Sequence, residues 1–220
     1  MIISIIIPLA SDEISWKSML DDLARLPAGV EIIFVSPDPE LSSYKAHLTH
    51  TNTRWILSES GRAGSMNQGA KMAKGEYVWF LHADSKFAKD SIAGLFATIK
   101  KYPKSLLFFD LAFYDGIKLM YLNSLGAKFR SNILKTPFGD QGLCLKKDLF
   151  YTLGAFDEDL EYGEDHLLVI RARQHGVKIQ PIGAKLYTSA RKYIQNGWLK
   201  TTLLYQYLWI KQSWKNRRNG

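Results

Sequence analysis

Four short apolar runs constrain this chain more than any other feature: Ser4-Ile5-Ile6-Ile7, Glu31-Ile32-Ile33-Phe34-Val35, Arg54-Trp55-Ile56-Leu57 and Tyr77-Val78-Trp79-Phe80-Leu81. Each is rich in β-branched or aromatic residues and too short for a helix, so each reads as a buried strand. Helical patterns fill the intervals. Trp16, Met19, Leu20, Leu23 and Leu26 recur at helical spacing between Ser11 and the Pro27 to Gly29 breaker, Leu41 to His47 reads as a short helix, and another follows Gly61. Two prolines make Ser36-Pro37-Asp38-Pro39 a turn. Strands and helices alternating at this spacing predict a parallel sheet with crossover helices, Rossmann-like in layout.

The later chain continues less regularly. Ser91 to Lys101 is helical, Leu106 to Phe113 a strand, and Asp115 to Leu134 holds a helix carrying Met120, Tyr121, Leu125 and Phe129. The loop Thr136 to Gly142 feeds a strand at Leu143 to Leu145 and a short helix at Lys147 to Leu153. Tyr162-Gly163-Glu164-Asp165 opens a helix over His166 to His175, and Val177 to Pro181 is a strand. Met1 to Leu9 lacks a basic start and its apolar run is short, which fits a first strand better than a secretion signal. The single Cys144 excludes an internal disulfide and fits a reducing cytoplasm.

The stretch Gly61 to Asp84 carries the chemistry. A turn with Gly61, Gly64 and the Arg62 guanidinium lets backbone N–H groups and a helix N-terminus approach an anion. Asp84 falls where the Tyr77 to Leu81 strand leaves the sheet, the usual place for ligand groups in open α/β sheets. A diphosphate beside a carboxylate calls for Mg²⁺ or Mn²⁺ between them. This points to a nucleotide-diphosphate site. Taken singly, each signal has a plainer reading: a strand-to-helix turn for Gly61 to Gly69, a cap for Asp84, a packed ring for His82, and a helix-dipole match for Glu164 and Asp165.

Charge divides the chain. The net charge is +8, yet after Asp165 there are eleven Lys and Arg and no Asp or Glu. Between Trp198 and Ile210, Leu199, Leu203, Leu204, Tyr205, Tyr207, Leu208 and Trp209 are broken by Lys200 and Gln206, with Trp214 in a basic end. The run is too short and too interrupted to span a bilayer. Residues 191–220 therefore read as a basic amphipathic extension of a domain at 1–190. Its two readings are a helix lying in an anionic membrane interface, on the inner face, and a helix packed on protein, either the domain itself or a second subunit of a homodimer.

Several motifs now stand in order: the strands IIIP and EIIFV, the loop GRAGSMNQGA, FLHAD, FGDQG, LFYTLGAFDE and the helix start GEDHLL. Together they resemble the family 2 glycosyltransferases, in register over roughly residues 3 to 190, and most resemble a small bacterial subgroup with LHAD and GDQG elements. The resemblance implies a GT-A fold, a three-layer α/β/α sandwich with a mostly parallel central sheet, here followed by the C-terminal helical extension. It implies transfer of a sugar from a nucleotide-diphosphate donor, with inversion, to an acceptor that the pattern does not encode; the basic aromatic tail points to a lipid-linked acceptor, a glycan is the alternative, and no nucleic-acid partner is expected.

Carried over by residue, Asp165 with Glu164 matches the catalytic base, and Asp84 the metal-binding end of the acidic motif, with Mg²⁺ or Mn²⁺ as cofactor. His82 stands where many relatives have the first aspartate and is the second metal candidate. Pro8, Arg62 and Asn67 match the donor side. Ser36 replaces an acidic residue common there, and Asp38 is the stand-in. Asp140 and Gln141, in a glycine-flanked loop, are the acceptor-side candidates. Two rival classes remain in view: a nucleotidyltransferase, which expects a basic glycine cluster where Pro8-Leu9-Ala10 stands, and a non-catalytic basic module for membrane or nucleic acid, for which Asp84 and Asp165 would be dispensable.

Overall fold

The computed structural model describes residues 2–11, 13–40, 50–160 and 162–218, with the side chains of 89 and 213–218 excepted. The helix expected at Leu41 to His47 lies outside the described residues. The apolar runs form the strands their composition requires: β1 Ile3–Pro8, β2 Val30–Ser36, β3 Thr53–Leu57 and β4 Tyr77–Phe80. They pair in parallel in the order β3-β2-β1-β4, with Ile5 opposite both Ile32 and Trp79. The chain returns to the far side of β1 after β3, so a topological switch point lies between β1 and β4.

Four further strands extend the sheet: β5 Lys86–Phe87, β6 Leu106–Phe113, β7 Cys144–Lys146 and β8 Ile179–Thr188, giving the order β3-β2-β1-β4-β7-β6-β8-β5. β7 is antiparallel to both β4 and β6, β5 is antiparallel to β8, and β6 is parallel to β8. The strand expected to stop at Pro181 runs on to Thr188. Its register against β6 jumps between Phe108 and Asp110, and the extra β8 residues, Gly183 with φ +78° among them, are absorbed there. Proline and glycine marked a bulge here, not an end.

Alternation along β1 sorts the core into two layers. Ile3, Ile5 and Ile7 pack on one face with Trp16, Phe34, Trp79, Leu95 and Ile99, while Ile6 packs on the other with Val78, Phe80, Met66, Phe150 and Leu168. The first face is covered by α1 Leu20–Ala24 and α3 Lys89–Lys101, the second by α2 Arg62–Met72, α5 Lys147–Thr152 and α6 Glu164–Gln174. The helix expected from Ser11 begins instead as a 3-10 turn, Ser15–Met19. Its threefold repeat puts Trp16 and Met19, both fully buried, on one side. Trp16 meets Trp55 edge-on at 5.4 Å, and Phe34 stacks on Trp55 at 4.4 Å. Gly69 lets α2 approach the sheet, since a Cβ there would sit 2.5 Å from Ile6 Cγ2.

The helix within Asp115 to Leu134 is α4 Met120–Asn132, and residues 191–218 form α7 Arg191–Asn196 and α8 Trp198–Arg218. Among the described residues no helix is long and apolar enough to cross a membrane.

One carboxylate is buried inside the sheet. Glu31 accepts hydrogen bonds from Ser4 Oγ (2.5 Å), the Lys74 N–H (2.8 Å) and Arg54 Nη1 (2.9 Å). Burial pushes its pKa up, but these donors outweigh burial and hold it below its ordinary 4.5. This lowered value contributes stability above pH 4.5 that is lost as pH falls through the folded pKa. Arg54→Met removes the only cation of the set and is expected to lower stability by roughly 2–4 kcal/mol at pH 7. Denaturant unfolding across pH checks this, and the deficit is expected to shrink below about pH 4.5.

Candidate active site

The site assembles at the ends of β4, β6 and β8, where His82, Asp84, Phe113 and Thr188 line one cleft. Asp165 lies in the first turn of α6, whose N-cap Gly163 has φ +83°. The Asp165 carboxylate accepts the backbone N–H of His166 through Oδ1 (2.9 Å) and that of Gly139 through Oδ2. Two backbone donors thus orient it, and its remaining lone pairs face a cleft of about 450 Å³. Glu164 does different work. It is buried, and its Oε1 lies 3.2 Å from Arg62 Nη1. Burial raises its pKa, while Arg62 pulls the other way.

Arg62, the first residue of α2, also donates from Nη2 to His82 Nε2 at 2.5 Å. Burial, then the Arg62 and Lys192 cations, holds His82 well below its ordinary pKa, so the ring is neutral and Nε2 carries a lone pair for Arg62. Gly139 is the hinge pin of this cluster. A Cβ on Gly139 would stand 2.8 Å from Asp165 Oδ2, 2.9 Å from Arg62 Nη2 and 3.1 Å from His82 Nε2. Only hydrogen fits between these three groups.

Asp84 and Asp140 line the same cleft as Arg62, His82 and Asp165. Burial raises the Asp84 pKa, against its own backbone N–H and Thr188 Oγ1, which donates at 3.4 Å. Asp140 is pushed up to about 6, first by burial and then by Asp165, with Arg130 opposing. Among the described residues its Oδ1 is buried with no hydrogen-bond partner, as is Nε1 of Trp209, another residue of the cleft wall. The rest of the described protein leaves this acceptor and this donor unsatisfied.

The other predicted residues lie elsewhere. Gln141 is fully buried, with Oε1 accepting from Ser131 Oγ (2.6 Å), Arg130 Nη2 (3.2 Å) and the Phe138 N–H (3.2 Å), and Nε2 donating to Phe109 O (2.9 Å). Its amide is spent on holding the loop, and Gln141 is not among the residues of the cleft wall. Asn67 likewise straps α2 to the turn after α5, exchanging hydrogen bonds with the backbone of Phe156 at 2.9 and 3.0 Å and donating to Glu158 Oε1. Asn67 is not among the residues of the cleft wall. Pro8 ends β1 and Asp38 caps the Glu40 N–H at 2.8 Å, neither on the cleft wall.

Sequence reasoning missed Arg130, Tyr193, Trp198 and Trp209. Arg130 stacks on the Phe138 ring at 3.5 Å and donates to Thr136 O. It sits in α4 with no local signal, because its partners come from the loop that follows. Trp198 and Trp209 reach the cleft because α7 and α8 fold back over it, with Trp198 Nε1 donating to Asn123 Oδ1 (2.6 Å) and Gln212 bridging Tyr162 O (3.0 Å) and His166 Nδ1 (3.3 Å). The extension therefore packs on its own domain.

Among the described residues no three His, Cys, Asp or Glu side chains gather as a metal cage. What the cleft offers is the carboxylates of Asp84 and Asp140, hard oxygen donors of the kind that hold a cation completed by phosphate oxygens. His82 fits less well, since its Nε2 lone pair is taken by Arg62.

A family model described as Glycosyl transferase family 2 matches residues 4–147, which include Arg62, Asp84 and Asp140 and stop short of Asp165. No curated protein matches the chain. Among solved structures, S. aureus TarS superposes with a TM-score of 0.69 at 20% identity, over 86% of this chain and 37% of that one. S. aureus TarS 1–349 in complex with UDP-GlcNAc gives 0.67 at 21% identity, over 86% and 58%, and its complex with UDP gives 0.63 at 19%, over 86% and 61%. The likeness at these identities is one of fold, and this chain spans well under half of the full TarS chain.

Two outcomes test the geometry. Gly139→Ala is expected to displace Asp165, Arg62 or His82 and to lower nucleotide-dependent turnover at least tenfold, while the melting temperature moves by only a few degrees. For Asp140, whose pKa is raised, stability is greatest in acid and is lost as pH rises through about 6. The stability of the wild type relative to Asp140→Asn is therefore expected to fall between about pH 4 and pH 7, which paired unfolding curves would show.

Proposed function

The chain belongs to glycosyl transferase family 2, and from that premise we propose that it transfers a sugar from a nucleoside-diphosphate donor to an acceptor hydroxyl by direct displacement with inversion. The observation that carries this reading is the Asp165 carboxylate, fixed by two backbone N–H groups and open to a cleft that also holds Arg62 and Asp84.

In this reading Asp165 takes the proton of the acceptor hydroxyl as its oxygen attacks the anomeric carbon. The bond from that carbon to the diphosphate breaks, and the diphosphate departs with the electron pair on the opposite face. Arg62 is aimed at the donor side by Glu164 and His82, and it stabilises the charge that develops on the leaving group. Glu164 acts through Arg62 and is a positioning residue. Asp84 would hold Mg²⁺ or Mn²⁺, whose chemistry there is to neutralise diphosphate charge. Asp140 and the Trp209 N–H offer the acceptor or the sugar one hydrogen-bond acceptor and one donor.

TarS 1–349 has been solved with UDP-GlcNAc and with UDP, which makes uridine diphosphate sugars the first donors to test. Asp165→Asn is expected to lower turnover roughly 10²–10⁴-fold while nucleotide binding is retained. Asp84→Asn is expected to abolish the Mn²⁺-dependent part of the thermal shift given by a nucleoside diphosphate. At a hundredfold excess over Kd that shift corresponds to about 2.7 kcal/mol. Unchanged turnover in Asp165→Asn would sink the base assignment.

A further inference from the structure

Two helices on the cleft side of the molecule turn apolar faces to solvent. On α4, Tyr121, Leu125, Phe129 and Ile133 follow one another at intervals of four, and on α8 Leu199, Leu203, Tyr207 and Ile210 do nearly the same. These eight side chains are 44–67% exposed. Each stripe lies opposite its own helix's buried side, Met120, Ala127 and Ser131 in α4 and Thr201 in α8. The two helices are joined at their inner edges by Asn123, whose Nδ2 donates to Thr202 Oγ1 at 3.1 Å and whose Oδ1 accepts from Trp198. Neither stripe is explained by the core, the sheet or the site.

The charge carried by the two helices themselves has one sign, although Lys128 is paired with Asp110 of β6 at 3.1 Å. There is no Asp or Glu from 116 to 139, where Lys118, Lys128, Arg130 and Lys135 occur, and none after Asp165. Two copies of this face would bring like charges together, which disfavours a dimer through it. Polyanions such as nucleic acid match the charge but have no use for exposed leucines and a phenylalanine. An anionic bilayer surface matches both, with apolar side chains entering the headgroup boundary and lysines meeting lipid phosphates.

The same two helices wall the cleft. Leu122 is 52% exposed beside the α4 stripe and also lines the cleft, as Gln206 does from α8. Behind them the wall is apolar, with Leu111, Phe113, Leu208 and Trp209, until Asp140 and Asp165 are reached.

We propose that α4 and α8 together form a platform that seats on an anionic phospholipid surface and so holds the cleft they wall against it. The acceptor is then an amphiphile held in the membrane, whose hydroxyl reaches Asp165 along the apolar wall. This rests on the glycosyl-transfer reading for the acceptor, whereas the platform itself is tested without turnover.

The test is co-sedimentation of the full chain with vesicles of phosphatidylcholine containing phosphatidylglycerol, beside neutral vesicles. Binding is expected for anionic vesicles at low salt, weakening as salt is added. Phe129→Asp and Leu203→Asp, both on exposed faces and outside the cleft, are each expected to lower the bound fraction at least tenfold with melting temperature unchanged. Donor-site integrity is followed separately by the thermal shift with uridine diphosphate, so a failed donor site and a failed platform give different results. No binding to anionic vesicles at low salt overturns the proposal. So does binding that Leu203→Asp abolishes and Phe129→Asp leaves intact, since one helix then suffices. Light scattering showing a dimer that either substitution dissolves, without vesicle binding, assigns the face to a second copy and likewise overturns it.

Discussion

The hydrogen bond from the Gly139 backbone to the Asp165 carboxylate is the contact on which the arrangement of the site depends. It ties the loop before β7 to the start of α6, two segments 26 residues apart, at the point where Arg62 and His82 arrive from α2 and the end of β4. The contact exists only because residue 139 has no side chain, since any Cβ would displace one of those three groups. A carboxylate fixed by backbone donors and its own helix N-terminus keeps its direction without needing a cation beside it. That leaves Arg62 free to be positioned by Glu164.

The adjacent pair Glu164-Asp165 shows how one turn of helix separates two roles. Successive residues on a helix point about 100° apart, so one carboxylate enters the packed interior and meets Arg62, while the other faces the cleft. Burial raises the pKa of Glu164, and the guanidinium opposes it. The same division appears in the loop at 139–141. Gln141 is used up inside the protein, whereas Asp140 keeps an oxygen without a partner.

The C-terminal extension belongs to the site as much as to the surface. Gln212, Trp209 and Trp198 close the cleft from above, and α8 is fastened to α4 and to the start of α6 by side-chain hydrogen bonds. The protein-packed reading of this basic amphipathic helix describes its inner face, and the membrane-facing reading is the proposal made for its outer one. The inner face is packed on the domain, and the outer face carries the apolar stripe.

What the sequence determined by itself was the parallel half of the sheet. Apolar runs of four or five residues between helical segments admit few other folds, and β1 to β4 lie where those runs stand. It also put Arg62, Asp84, Asp140 and Asp165 in one family pattern, and the structure places all four on one cleft. It could not show the surroundings of residues whose role depends on who their neighbours are. Asn67 and Gln141 look like ligand-binding amides until their hydrogen bonds are counted, and Arg130 carries no signal until Phe138 is beneath it. The antiparallel strands β5 and β7, the bulge that carries β8 past Pro181, and the return of α8 over the cleft were decided only by tertiary structure. Local pattern records which face of a segment is apolar, but what that face meets is settled by contacts between segments far apart in the chain.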